Sequence, residues 1–99
     1  MLKKLLILDL DESLVFATKV KMPQAEDFRV GQYFVYKRPG LDAFIAFCFD
    51  YFKVAVWTSS HSTYAKEVIE RIFERPEQLE FVWARERCTW RSDHESGMS

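Results

Sequence analysis

Residues 5–8 form a continuous apolar run near the start of the chain, followed directly by residues 9–13 (DLDES). A run of this kind, without alternation, is typical of a strand buried on both faces in a parallel sheet. In open α/β sheets, sites form beyond the carboxyl ends of the strands. The feature therefore predicts a parallel sheet whose first strand ends in a pair of carboxylates, Asp9 and Asp11.

Two later segments carry apolar residues at helical spacing. The first covers residues 41–52, and the second covers roughly residues 62–74, ending before Pro76. Ser60 or Ser62 is expected to cap the second helix, because a hydroxyl at that position can accept a hydrogen bond from a free backbone N–H. The phenylalanine-rich face of the first helix is interpreted as core rather than as a cofactor site.

Short apolar runs at residues 53–57 and 81–84 predict two more buried strands. Residues 14–37 contain two stretches of strand-forming residues, which predict a hairpin-like excursion with a long irregular connection. The resulting order predicts one small α/β domain over residues 1–90, with a parallel sheet and right-handed crossovers. Residues 91–99 are polar and are expected to form an unstructured tail.

The composition limits the classes of function. A chain of 99 residues is long enough for one small domain, and its formal net charge of −1 gives no nucleic-acid footprint. No segment is long enough to span a bilayer, and four apolar residues are too few for a signal peptide. The two cysteines form no CxxC and are interpreted as reduced thiols in a cytoplasmic protein, although a single disulfide stays open.

Asp9 and Asp11 are expected to project to the same side, because strand side chains alternate with a period of two. Two converging carboxylates repel each other unless a cation lies between them, and Mg²⁺ is commonly held by one or two carboxylates with water and substrate phosphate. The alternative is a simple turn, where Asp and Ser are common. The hydroxyl-rich residues 58–60 follow another predicted strand and are expected at the same rim.

Residues 7–14 (ILDLDESL) resemble the first motif of the haloacid dehalogenase (HAD) superfamily. The form is that of phosphatases acting on the C-terminal domain of RNA polymerase II and of related small phosphatases, the NLI-interacting-factor-like group. Residues 37–40 (KRPG) resemble the segment that opens the next helix in that group. Residues 57–60 (WTSS), with Tyr64-Ala65 after them, resemble its second motif. Three motifs in the family's order are far more specific than one.

The resemblance implies a HAD-like Rossmannoid fold and a Mg²⁺-dependent phosphatase activity. Asp9 is then expected to attack phosphorus and form an aspartyl-phosphate. Asp11 is expected to protonate the leaving alkoxide and then to activate water. Mg²⁺ is expected to bind at Asp9 and Asp11. Thr58, through its hydroxyl, and Ser59, through its backbone N–H, are expected to hold a phosphate oxygen near the helix N-terminus.

Several other residues allow a functional or a structural interpretation. Arg38 is either a substrate-binding residue that steers the phosphate or a structural partner at the start of the helix. His61 is interpreted as a loop or capping residue rather than a catalyst. Cys88, Asp93 and His94 lack recognised zinc spacing and are assigned to the solvated tail.

The expected substrate is a phosphoprotein, bearing phosphoserine or phosphothreonine, or a small phosphomonoester. Family members continue with a lysine motif and then a second acidic motif, and nothing after Trp90 resembles either; Arg85, Arg87 and Arg91 cannot be assigned to the lysine role. The resemblance therefore implies only the N-terminal portion of the fold, with residues 5–8 as an exposed apolar edge. The alternative function is a non-catalytic HAD-like module that binds partners, or an inactive fragment.

Overall fold

The computed structural model describes residues 2–86 and 89–90. Within them, two sheets and two α-helices form. In chain order the elements are β1 (Lys4–Asp9), β2 (Val15–Thr18), β3 (Phe28–Val30), β4 (Tyr33–Lys37), α1 (Leu41–Tyr51), β5 (Phe52–Trp57), α2 (Ser62–Ile72), a 3₁₀ helix (Pro76–Gln78), β6 (Val82–Trp83) and β7 (Thr89–Trp90).

The main sheet has the strand order β1-β5-β6-β7. Strands β1, β5 and β6 are parallel, and their register aligns Asp9 with Trp57 and Trp57 with Trp83. Only β7, which was not predicted, runs antiparallel to its neighbour. The predicted α/β class, with the parallel sheet of a HAD-like N-terminal portion, is confirmed. The register also places the carboxyl ends of the parallel strands at one rim.

Strand β5 is buried on both faces, as predicted: Val54, Ala55 and Val56 have no exposed surface. The same prediction for β1 is wrong. Leu8 is buried, but Leu5 and Ile7 are 50% and 51% exposed. Leu5 and Ile7 lie on the same face of β1, which the described residues leave half exposed, and β1 is also the edge strand of this sheet. The expected apolar edge at residues 5–8 is therefore present.

The excursion between β1 and α1 forms a second, antiparallel sheet with the order β2-β4-β3. The predicted pairing of the two strand-like stretches is confirmed, whereas β3 was missed because three residues carry little periodicity. A two-residue turn joins β3 to β4, and its Gly31 has φ +57°, a conformation that costs glycine little. The Tyr36 hydroxyl stabilises the long connection between β2 and β3. It accepts a hydrogen bond from the Met22 N–H and donates one to the Gln24 carbonyl.

The two helices begin in different ways. Gly40, with φ +74°, turns the chain into α1. At α2 the cap is His61, whose ring nitrogen accepts from the Thr63 N–H. The expectation of a Ser60 or Ser62 cap is therefore wrong, and the structure shows why: both hydroxyls donate elsewhere, to carboxylates on other segments. His61 has the capping role that the sequence indicated.

One apolar core joins both sheets and both helices. Leu10, Leu14, Val35 and Val68 are among its most buried members. In the described residues no helix is long and apolar enough to cross a membrane. Cys88, Asp93, His94 and the polar segment 91–99 lie outside the described residues, so their assignment to a tail stays a prediction.

Candidate active site

The carboxyl end of β1 presents two carboxylates on either side of a buried leucine. Leu10 has no exposed surface and its N–H donates to the Trp57 carbonyl at 3.0 Å, which continues the pairing of β1 with β5. Asp9 is exposed and Asp11 is half-buried. Because side chains alternate along an extended chain, burying Leu10 in the core directs Asp9 and Asp11 away from it.

The turn after Asp11 has a strained backbone. Glu12 has φ +67°, the left-handed region that costs a residue with a side chain about 1–2 kcal/mol. Three backbone hydrogen bonds stabilise this turn. The Glu12 N–H donates to the Val15 carbonyl, and the N–H groups of Leu14 and Val15 donate to the Leu10 carbonyl. Strain of this kind persists where the surroundings enforce it, and it is common at functional sites. Here it reverses the chain directly beside Asp11.

Asp11 is joined to the polar cluster that follows β5. One of its carboxylate oxygens accepts from the Thr58 hydroxyl at 2.8 Å and from the Ser60 hydroxyl at 2.6 Å. The Thr58 hydroxyl also accepts from the Ser60 N–H at 2.9 Å, so the loop is closed on itself. Thr58 is only 1% exposed. A buried hydroxyl with both a donor and an acceptor partner is fully satisfied, which fixes its orientation.

A cleft of about 350 Å³ opens in front of this network. Its wall combines a carboxylate, hydroxyls, a guanidinium and aromatic rings. The lining residues are Asp11, Glu12, Phe16, Ala17, Tyr33, Ser59, Ser60, His61, Tyr64 and Arg85. The excursion sheet therefore supplies one wall, and the loop before α2 supplies the other.

Tyr64 places an unsatisfied hydroxyl at the back of this cleft. Its oxygen is buried and forms no hydrogen bond within 3.5 Å among the described residues, although the Asp11 carboxylate lies close enough to act on it. Burial, and then the negative charge of Asp11, raise the pKa of this hydroxyl well above its usual range. Its ring meets that of Tyr33 edge-to-face, with centroids 5.5 Å apart. Tyr64 is therefore a neutral donor at every physiological pH.

The structure brings some predicted site residues together and leaves others apart. Asp11, Thr58 and Ser59 converge at the cleft, with Ser59 in its wall and Thr58 behind it. Asp9 lies at the same rim but is not in the cleft wall. Arg38 is also outside that wall: its guanidinium donates to the Ser13 carbonyl and lies over the Phe44 ring, 4.9 Å from its centroid. These contacts are those of its structural alternative.

Several cleft residues were not singled out as site residues from the sequence, among them Ser60, Tyr64 and Arg85. Ser60 was placed in the hydroxyl cluster at the rim and considered as a cap, but not as a second hydrogen-bond donor to Asp11. Tyr64 carried a signal through the motif that includes it. Arg85 carried none, because its place in the cleft wall depends on β6 lying beside β5.

The described acidic side chains do not form a cluster of metal ligands. Among the described residues no group of three or more His, Cys, Asp or Glu side chains could hold a metal ion. This excludes a cage made only of protein ligands within that part of the chain. The Mg²⁺ site expected at Asp9 and Asp11 stays a prediction.

Comparison with known proteins identifies the family. The sequence profile described as NLI interacting factor-like phosphatase matches residues 4–97. The chain belongs to that family. Among relatives of this NLI interacting factor-like chain, the CTD phosphatase-like protein 355R of Invertebrate iridescent virus 3 is 37% identical over 76% of the chain and 47% of the viral protein.

Two fungal proteins are also similar to it. Phosphatase PSR1 of Saccharomyces cerevisiae is 33% identical over 87% of this chain, and 22% of the yeast protein is covered. An uncharacterised protein of Schizosaccharomyces pombe is 38% identical over 71% of the chain, which covers 24% of that protein. This member of the NLI interacting factor-like family thus spans about half or less of the length of the curated relatives that it matches.

Proposed function

We propose that this chain is the part of a Mg²⁺-dependent phosphatase that carries its nucleophile, Asp9, and its general acid, Asp11. The substrate is a phosphomonoester, on a phosphoserine or phosphothreonine side chain or on a small molecule. The observation that carries the proposal is the fixed Asp11 carboxylate, held by the hydroxyls of Thr58 and Ser60 at the edge of an open cleft. Membership in a phosphatase family supports it independently.

The proposed mechanism assigns a separate role to each of the two carboxylates. Asp9 is exposed at the end of β1, so its oxygen is free to attack phosphorus; the P–O bond to the leaving group breaks as the aspartyl-phosphate forms. Asp11 donates a proton to the leaving oxygen and then removes one from the attacking water, which releases phosphate and restores Asp9. The hydroxyl donors on one Asp11 oxygen leave the other oxygen for this proton.

The loop before α2 is suited to hold the phosphate. Ser59 lies in the cleft wall, in the loop that precedes α2, where its backbone N–H is proposed to bind a phosphate oxygen. Arg85 in the same wall adds a positive charge. A Mg²⁺ ion held by Asp9 and Asp11 would supply further positive charge to the phosphoryl oxygens. Together these groups favour the trigonal, negatively charged phosphoryl group of the transition state.

The second candidate function is a module that binds partners without catalysis. It is motivated by the exposed apolar face of β1, where Leu5 and Ile7 are half exposed, since such a surface can mark an interaction site. Its weakness is chemical, because a pure binding module has no need of a nucleophile beside a fixed acid. A location in the cytoplasm stays a prediction from the sequence.

The deciding experiment is hydrolysis of p-nitrophenyl phosphate with and without Mg²⁺, for the unsubstituted protein and for Asp9→Asn. We expect Mg²⁺-dependent turnover that falls by about 10³-fold or more in the variant. Asp50→Asn, an exposed carboxylate on α1, is the matched control and should keep full activity. Equal turnover by Asp9→Asn and the unsubstituted protein would contradict the nucleophile assignment. No turnover by any of them, together with no Mg²⁺-dependent binding of orthovanadate, would favour the binding module.

A further inference from the structure

Glu86, which follows β6, makes a cluster of contacts with the first residues of α2. Its carboxylate accepts from the Ser62 N–H at 3.0 Å and from the Ser62 hydroxyl at 2.8 Å. A carboxylate oxygen also lies 3.2 Å from Nε2 of His61. Ser62 and Glu86 are 24 positions apart in the sequence, so this contact is tertiary rather than local. Glu86 therefore connects the segment after β6 to the start of α2.

The charge of Glu86 is consistent with this role. A hydrogen bond from its own backbone N–H, then those from Ser62, lower the pKa of the carboxyl group from its usual value, so it is ionised at neutral pH. A negative charge at a helix N-terminus is stabilised by the unpaired N–H groups and the helix dipole. Both ring nitrogens of His61 have a partner: Nδ1 accepts from the Thr63 N–H, and Nε2 faces the Glu86 carboxylate.

Backbone hydrogen bonds also join residues 83–85 to residues 58–60, which lie nearer the cleft. The Arg85 N–H donates to the Ser60 carbonyl at 3.0 Å, and the Thr58 N–H donates to the Trp83 carbonyl at 2.9 Å. Residues 83–86 thus run beside the loop of residues 58–62 and form hydrogen bonds with it at Thr58, Ser60 and Ser62. Within that loop are the hydroxyl groups that hold Asp11.

Glu86 makes these contacts at the end of the loop that leads into α2. Neither Ser62 nor Glu86 is part of the cleft wall, whereas Ser59, Ser60 and the Glu86 partner His61 are. The contacts of Glu86 therefore bear on the position of the loop that forms this wall.

We propose that Glu86 is a positioning residue for the proposed phosphatase reaction: it holds the loop of residues 58–62 so that Thr58 and Ser60 keep the general acid Asp11 in place. This inference rests on the proposed function. Loss of the Glu86 carboxylate leaves the Ser62 N–H with water alone and frees the start of α2. The loop then moves, Ser60 loses its alignment with Asp11, and proton donation to the leaving group becomes slower.

The test separates proton donation from other effects through the leaving group. A p-nitrophenolate departs without protonation, whereas a phenolate or an alkoxide depends on the acid. We expect Glu86→Ala to lower kcat for phenyl phosphate by at least about ten-fold more than kcat for p-nitrophenyl phosphate. Glu86→Gln, which keeps an acceptor oxygen, should restore most of the loss. Glu74→Ala, an exposed glutamate beyond the other end of α2, should change neither rate.

Amide hydrogen exchange followed by NMR gives a second measurement that does not need turnover. The Ser62 amide should exchange at least about ten-fold faster in Glu86→Ala than in the unsubstituted protein, while core amides of β5 stay unchanged. If Glu86→Ala does not fold, Ser62→Ala removes the donor hydroxyl alone and should show the same leaving-group dependence in weaker form.

The outcomes separate this inference from the proposed function. An unsubstituted protein that hydrolyses neither ester, with Ser62 protection lost in Glu86→Ala, would refute the phosphatase proposal and with it the effect of Glu86 on catalysis. An active protein in which Glu86→Ala lowers both rates equally, or leaves the Ser62 amide protected, would overturn the positioning role alone.

Discussion

The Ser60 hydroxyl donates a 2.6 Å hydrogen bond to the carboxylate of Asp11, across 49 positions of the sequence. Asp11 lies just after β1, and Ser60 lies in the loop after β5. The bond therefore forms only because β1 and β5 are parallel neighbours. The Thr58 hydroxyl reaches the same carboxylate oxygen from the same loop. This shared oxygen is the point at which the two predicted motifs become one site.

Ser60→Ala should lower kcat for phenyl phosphate by about ten- to a hundred-fold, because a hydrogen bond to a charged group contributes about 1.5–3 kcal/mol. The Thr58 hydroxyl would still hold Asp11, so activity should not disappear. Steady-state kinetics of Ser60→Ala, Thr58→Val and the double variant would measure the coupling. Strictly additive losses would mean that the two hydroxyls do not act on the same group.

Leu10→Ala should destabilise the protein by about 2–5 kcal/mol, because Leu10 has no exposed surface and its removal leaves a cavity. The same leucine separates Asp9 from Asp11, so the variant should also lose activity at temperatures where it is still folded. Urea unfolding followed by circular dichroism gives the free energy of unfolding. Leu2→Ala, at a position that is 87% exposed, is the control and should change it little.

Tyr64→Phe should leave the free energy of unfolding unchanged at pH 7 or raise it by up to about 1 kcal/mol, because it removes a buried donor without a partner. Tyr51→Phe, where the side chain is 62% exposed, is the matched control. A large loss of stability in Tyr64→Phe, with none in Tyr51→Phe, would show that the Tyr64 hydroxyl has a partner after all.

The pH dependence of the same variant has a definite sign. Burial, followed by the charge of Asp11, raises the folded-state pKa of Tyr64 above its unfolded value. Such a group's contribution to stability is complete below about pH 10, the ordinary value, and is lost as the pH rises beyond it. The unsubstituted protein should therefore lose more stability between about pH 8 and pH 11 than Tyr64→Phe does. Equal losses in urea unfolding at the two pH values would contradict burial of the hydroxyl.

Gly40→Ala should cost about 1–2 kcal/mol of stability, because φ +74° is unfavourable for a residue with a Cβ atom. Nothing lies within 4 Å of the added Cβ atom, so a steric clash does not contribute. Gly40→Asn should cost less, since asparagine tolerates the left-handed region better. Thermal unfolding would compare the two, and an alanine variant at least as stable as the asparagine one would contradict this backbone explanation.

Local patterns predicted the main elements of the fold. The apolar run at residues 53–57 became the central strand β5, and helical spacing predicted α1 to within one residue. The same reasoning failed for β1, whose second face is exposed, because an apolar run cannot show whether a neighbour covers it. It also missed β3, since the three residues Phe28–Val30 become a strand only by pairing with β4.

By itself, the sequence determined the alternation of strands and helices, the carboxylates at the end of β1, the hydroxyl cluster after β5 and the resemblance to a phosphatase family. These are properties of short segments, and backbone geometry and periodicity encode them locally. Only the tertiary structure decided that Ser60 would donate to Asp11 rather than cap α2, that Tyr64 and Arg85 would line the cleft, and that Glu86 would accept from Ser62 at the start of α2. Each of these contacts joins residues far apart in the chain, so it forms only when the parallel register of β1, β5 and β6 places their carboxyl ends at one rim.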